Sequence, residues 1–148
     1  RDRLTETEIA PAVASMRTLN AGAARAARTA GIRCATDITG FGLLGHLGNI
    51  LRGSSLAAEL WMENLPVLEQ ARQMADEGLV PGGTARNLAA AEPLTTYSVD
   101  VTSAERILLA DAQTSGGATT SAPGSRTKGP AWRTCCGRLC GTTRISRC

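Results

Sequence analysis

Gly40, Gly42 and Gly45, in the stretch Gly40-Phe41-Gly42-Leu43-Leu44-Gly45, constrain this chain more than any other feature. They follow Ile32-Arg33-Cys34-Ala35-Thr36-Asp37-Ile38, which reads as a short strand. They open a segment whose Phe41, Leu44, Leu47 and Leu51 recur at helical spacing. Passing from strand to helix over so few residues needs backbone that tolerates tight turns and close neighbours, which glycine supplies. Gly53 is expected to stop the helix. Leu56, Ala58, Leu60 and Met62 then alternate with Ala57, Glu59 and Trp61, the period of a strand with one buried face. The pattern matches the G-x-G-x-x-G of a dinucleotide-binding turn, and Glu59 falls near the place of a ribose-binding acid.

Asp37, three positions before the first glycine, complicates that reading. A bare carboxylate beside a helix N-terminus repels the phosphate that the helix attracts. If a divalent cation lies between them, the same placement becomes useful, because Mg²⁺ is typically held by one or two carboxylates plus phosphate oxygens. Three readings follow from the residues: glycines that serve only a tight turn, an acid-plus-glycine loop for a metal-bound nucleotide, and a dinucleotide site.

The remaining elements are ordinary. Thr5 and Glu8 can form a capping box for a helix over 6–19 with Ile9, Val13 and Met16 on one face, where Pro11 fits only near the first turn. Asn20 can cap an Ala-rich helix ending at Gly31, and Asn64 one that carries Pro66, Val67, Ala71 and Met74 and ends at Gly78. Pro81-Gly82-Gly83-Thr84 is a turn, 96–101 alternates as a strand, 103–110 reads as a helix, and 113–117 as a polar glycine loop. The expected fold class is α+β, a mixed β-sheet flanked by helices. With 148 residues, 43% of them hydrophobic, there is room for one core. No run reaches the roughly 18 apolar residues of a membrane-spanning helix, so no membrane partner and a cytoplasmic location are expected. The chain opens on Arg1, as expected of a processed product or a piece of a longer protein.

Charge and cysteine divide at Gly117. Residues 118–148 hold Arg126, Lys128, Arg133, Arg138, Arg144 and Arg147 and no acid, while the first 117 carry ten basic and thirteen acidic residues. The basic balance that would suggest nucleic acid therefore belongs to the tail alone, and with 3% aromatics no base-stacking surface is expected. Cys135, Cys136, Cys140 and Cys148 crowd the tail without a common zinc spacing, and Cys34 stands alone upstream as a small hydrophobe rather than a nucleophile. His46, the only histidine, reads as a polar or capping residue rather than a base. Lysine is absent from the first 117 residues and there is no G-x-x-x-x-G-K-[ST], which excludes a Walker-type site.

Taken in series, Ala35 to Leu47 (ATDITGFGLLGHL), Pro81-Gly82-Gly83-Thr84 with Asn87, and Asp111-Ala112-Gln113-Thr114-Ser115-Gly116-Gly117 resemble the C-terminal half of the selenophosphate synthetases (selenide, water dikinases). These are members of the aminoimidazole ribonucleotide synthetase-like superfamily. Ser15-Met16 and Leu19-Asn20 also fit, so the resemblance runs from about residue 4 to 117. It implies an ATP- and Mg²⁺-dependent phosphotransferase that makes selenophosphate, AMP and orthophosphate from selenide, ATP and water, and it implies a homodimer. It places Asp37 as a ligand of the magnesium on the ATP phosphates.

The departures are also clear. The family's N-terminal half, with its catalytic Cys or selenocysteine, a Lys and further metal-binding aspartates, is absent from these residues, and Ala112 stands where Pro is usual. No catalytic residue is therefore assigned, and the fragment alone is expected to be inactive. After Gly117 the family continues with strand, helix and strand. Here residues 1–117 are expected to form an incomplete domain, truncated after Gly117, and 118–148 an unstructured, basic, Cys-rich tail from a shifted reading frame. The alternative is a nonenzymatic dinucleotide- or ligand-binding module built on the Gly40 to Gly45 loop.

Overall fold

A computed structural model describes residues 4–32, 34–114, 118–121, 132–135 and 143–146, the side chains of 118–121 and 132–135 excepted. The elements in order are α1 (Glu6–Arg17), α2 (Ala21–Thr29), β1 (Cys34–Asp37), α3 (Gly42–Ser54), β2 (Ala57–Trp61), α4 (Glu69–Asp76), α5 (Thr84–Ala91), β3 (Thr95–Tyr97), α6 (Ser103–Leu109), β4 (Ala118–Ser121), β5 (Trp132–Cys135) and β6 (Thr143–Ser146). The strands form two sheets. β1 pairs antiparallel with β4, and the second sheet has the order β3-β6-β2-β5, with β6 parallel to both neighbours and β5 antiparallel to β2. The fold is α+β with a mixed sheet, as the alternation of periods predicts.

The core forms where α3 lies against the larger sheet. Leu44, Leu47 and Leu51 of α3 meet Leu56, Ala58, Leu60 and Met62 at and around β2, with Val101 and Leu109 closing one side and Ile145 the other. The period-two pattern of residues 56–62 thus faces inward as expected. Phe41 does not join it: the first member of the expected apolar stripe is 63% exposed, because it is the N-cap of α3 and precedes the turn of helix that reaches the core.

Several boundaries moved for local reasons. The capping box of α1 forms, with the Thr5 backbone N–H donating to Glu8 Oε2 at 2.8 Å, but Pro11 lies in the second turn and α1 buries none of its residues. α3 passes through Gly53 and stops at Ser55, which takes the left-handed conformation at φ 54°. Asn64 closes a 3₁₀ turn over Met62–Asn64 instead of capping α4, whose N-cap is Leu68. The strand expected over 96–101 ends at Tyr97, because Ser98 hydrogen-bonds Asp100 and the Val101 N–H closes a turn on the Ser98 carbonyl, leaving Val99 fully exposed. α5 was not anticipated.

The tail expectation needs correction. Residues 118–121, 132–135 and 143–146 are strands, so 118–148 is not wholly unstructured. β6 completes the sheet by hydrogen-bonding β2 and β3, and Ile145 is 0% exposed. Among the described residues of the tail, Ile145 enters the core of the body, which sparse apolar content still allows. Cys136, Cys140 and Cys148 lie outside the described residues.

Two groups at the sheet margin set pH behaviour and packing. Glu105 of α6, 2% exposed, accepts from the Thr102 N–H at 2.9 Å in a second capping box and pairs with Arg72 of α4 at 3.4 Å, so its buried charge is compensated. The guanidinium of Arg106 lies 4.5 Å from the centroid of the Tyr97 ring. Burial raises the Tyr97 phenol above its ordinary 10.0, opposed by the nearby Arg106 charge.

Ile145→Ala is expected to cost about 2–5 kcal/mol, the usual loss for a buried Ile, read as a lower denaturant midpoint with unchanged slope. A raised phenol pKa means that the folded chain binds the proton more tightly than the unfolded one. The contribution of Tyr97 to stability is then level below pH 10 and is lost as pH rises through and above that value. Because Tyr97 is the only tyrosine, absorbance at the phenolate band reads this titration directly.

Candidate functional site

Asp37 ends β1, and the chain then turns sharply into α3. Ile38 is buried and anchors the turn, while the Asp37 side chain is exposed. Among the described residues its carboxylate has no hydrogen-bond or ion-pair partner. The turn itself is closed by the Gly42 N–H donating to the Thr39 carbonyl at 3.0 Å. His46, one turn into α3, reaches back so that its Nε2 accepts from the Thr39 N–H at 3.1 Å, with Thr39 Oγ1 at 3.2 Å. A backbone N–H can only donate, so this bond places the proton of the neutral ring on Nδ1. His46 is a brace for the turn.

The second and third motifs meet the first at its glycines. Gly42 has φ +68°, and a β-carbon there would stand 2.6 Å from the carbonyl carbon of Ala110. No side chain fits between the two backbones. Asn87 of α5 spans the same junction: its Nδ2 donates to the Gly40 carbonyl at 2.9 Å and to the Ala110 carbonyl at 3.1 Å. Thr84, fully buried at the start of α5, accepts from the Ala112 N–H at 3.2 Å and makes a long 3.4 Å contact to Asp111 Oδ1. Asp111 Oδ1 in turn accepts from the Gln113 N–H at 2.9 Å. Segments far apart in sequence therefore form one hydrogen-bonded cluster, of which the Asp37 carboxylate is an outlying free acid.

The residues present fit one part of a metal site. A single exposed carboxylate offers one ligand position, and no cluster of three or more His, Cys, Asp or Glu able to hold a metal occurs among the described residues. Mg²⁺ bound through phosphate oxygens and water needs no more than one or two protein carboxylates, so Asp37 matches that donor set but not a cage for a free ion. A groove of about 250 Å³ between α3 and α5, lined by Phe41, Gly45, Gly48, Arg52, Asn87 and Ala90 among others, does not include Asp37.

The dinucleotide alternative is overturned by topology. A Rossmann turn needs the strands before and after the helix to be parallel neighbours in one sheet. Here β1 pairs with β4 and β2 belongs to the other sheet, so the G-x-G-x-x-G stretch opens no crevice of that kind, and Glu59 lies in β2 opposite Arg144 and Arg133 on the neighbouring strands. Cys34 is half-buried in β1 with no disulfide. Of the 113–117 loop, Gln113 and Thr114 are held by Asp111, while 115–117 lie outside the described residues. The bonds that Thr84 and Asn87 make to the other segments are not visible from residue types; the signal present was their place just after the Pro81-Gly82-Gly83 turn.

Replacing Gly42 by Ala is expected to separate the two backbones or unfold the junction. A loss of about 2 kcal/mol or more in denaturant unfolding would show it, since both the positive φ and the overlap with Ala110 oppose any side chain. Gly22→Ala, with open space around it, serves as the control.

Comparison with known proteins identifies the family. The chain is 47% identical over 102 residues to the selenide, water dikinase of Cronobacter sakazakii, covering 69% of this chain and 28% of that protein. It is 40% identical over 115 residues to the one of Pseudomonas aeruginosa and 38% over 115 residues to that of a Sulfurovum species, in each case 78% of this chain and 33% of the relative. The chain thus spans about a third of the length of the curated relatives it matches. The family described as AIR synthase related protein, C-terminal domain, matches residues 4–118, and the chain belongs to that family.

Proposed function

We propose that this chain is the C-terminal part of an ATP-dependent selenide, water dikinase, in which Asp37 supplies one ligand to the Mg²⁺ that accompanies the ATP phosphates. The observation that carries the reading is the exposed carboxylate of Asp37, which has no hydrogen-bond or ion-pair partner among the described residues, set on a turn held by His46, Asn87 and the approach of Gly42 to Ala110. The similarity to selenide, water dikinases supports it, and so does the absence of a dinucleotide-type strand arrangement.

The reaction is the formation of selenophosphate, AMP and orthophosphate from selenide, ATP and water. When bound, Mg²⁺ would offset the charge of the phosphates and help align the attacking and leaving groups. This chain's own contribution is positional. β1 and the buried Ile38 fix the root of the turn, His46 and Asn87 fix its hydrogen bonds, and the carboxylate projects from its start with little freedom in the backbone that bears it. Among the described residues we assign no nucleophile: Cys34 is half-buried within a strand, and His46 Nε2 accepts from Thr39. The nucleophile and most of the nucleotide pocket belong to parts of the relatives that this chain does not match.

We further read the full-length protein as a cytoplasmic homodimer that needs neither nucleic acid nor membrane; no helix among the described residues is long and apolar enough to cross a membrane. The change of composition after Gly117 and the end of the family match at residue 118 support a shifted reading frame in the tail. Sequencing the coding DNA around that codon tests this, with an apolar strand restored by a one-base shift as the expected result.

In a full-length protein containing this sequence, Asp37→Ala is expected to lower Mg-ATP turnover by at least about 10- to 100-fold, the loss that even an outer-shell partner of a metal site carries. Assay of AMP release against Mg²⁺ concentration checks it, and unchanged turnover at all concentrations sinks the proposal. The isolated chain should release no AMP from ATP and selenide.

A further inference from the structure

Asn87 has a geometry that simple packing does not require. Its amide nitrogen carries two protons and spends them on two backbone carbonyls from different parts of the chain, Gly40 at 2.9 Å and Ala110 at 3.1 Å. The first lies in the turn that bears Asp37. The second is at the C-cap of α6, immediately before Asp111, whose carboxylate organises the next loop. Neither carbonyl belongs to a strand ladder, and the backbones they sit on touch at Gly42 and Ala110, where no side chain can enter to bridge them. Asn87 is itself fixed from below, because its N–H donates to the Gly83 carbonyl at 3.1 Å in the first turn of α5 and Thr84 beside it is tied to Ala112.

We infer that Asn87 is a positioning residue that makes the Asp37 turn and the 110–114 loop move as one body. The inference rests on the reading of Asp37 as a metal ligand for its functional meaning, but the mechanical coupling stands on the bonds alone. His46 holds the same turn from α3 without touching the second loop, so the two braces have separable signatures. A ligand on one loop would then order the other, because the entropy of fixing both is lost in a single step.

The test uses the complete 148-residue chain. Amide hydrogen exchange is followed at Thr39 and Gly42 on one side and at Ala112, Gln113 and Thr114 on the other, all of which donate hydrogen bonds in the structure. Asn87→Ala should speed exchange in both groups together by about five- to tenfold, as expected for one lost hydrogen bond, with Leu47 to Leu51 in α3 unchanged. Asn87→Asp keeps the shape and loses both donors, so it should behave as the alanine variant does. His46→Ala should affect Thr39 and Gly42 only. In a full-length protein containing this sequence, water-proton relaxation with Mn²⁺ and ATP supplies the functional readout, with affinity falling in both Asn87→Ala and Asn87→Asp.

A response in one loop only, an equal response throughout the chain, or wild-type behaviour in Asn87→Asp would overturn the coupling. A full-length protein containing this sequence whose Mn-ATP affinity is unchanged by Asp37→Ala would overturn the function proposed for Asp37 and with it the positioning role, and the exchange data would still decide the coupling.

Discussion

The approach of Gly42 to Ala110, too close for any β-carbon, is the constraint on which the candidate site depends. Because no β-carbon can lie between them, the turn after β1 and the end of α6 hold a fixed separation, and the hydrogen bonds of Asn87 and Thr84 can be short and shared. A looser junction would admit water to the Gly40 and Ala110 carbonyls and leave each loop to find its own conformation. The glycine is therefore needed for what stands opposite it as much as for its own positive φ. The Asp37 carboxylate, at the end of β1, makes no hydrogen bond or ion pair among the described residues.

The energetic centre of the molecule lies apart from this junction, around α3 and the four-stranded sheet. α3 links the two regions: its first residue makes the close approach, its His46 braces the turn, and its Leu44, Leu47 and Leu51 enter the core. Any change that tilts this helix alters both packing and site. The buried Glu105 serves a similar joint purpose at α6, capping the helix that ends at Ala110 and pairing with Arg72 of α4.

Much of this was legible in the residues. The alternation of 56–62 named the buried face of β2, and Thr5 with Glu8 announced the cap of α1, because both depend on near neighbours only. What failed depended on distant partners or on competing local bonds. The Ala-rich α5 was hidden behind the Pro81-Gly82-Gly83 turn, Phe41 stayed outside the core because the helix begins at it, and residues 98–101 turned because Ser98 and Asp100 found each other. The role of β6 was invisible for a further reason: Thr143, Arg144, Ile145 and Ser146 carry little strand signal, and what recruits them is the open place between β2 and β3. For the site, spacing could group Asn87 with its turn, but only the fold shows which carbonyls it joins.

The order of the larger sheet has a consequence for synthesis. β2 and β3 are made early, yet they do not touch each other; the strand that separates and joins them is β6, and Ala58 must wait for Thr143. While the ribosome is still adding the residues between, two strands stand with unpaired edges, and long-range parallel pairing is slow to form once it becomes possible. A nascent chain in that interval offers bare backbone to any other strand it meets, so its yield in the cell depends on whether a chaperone covers those edges until residue 146 has emerged.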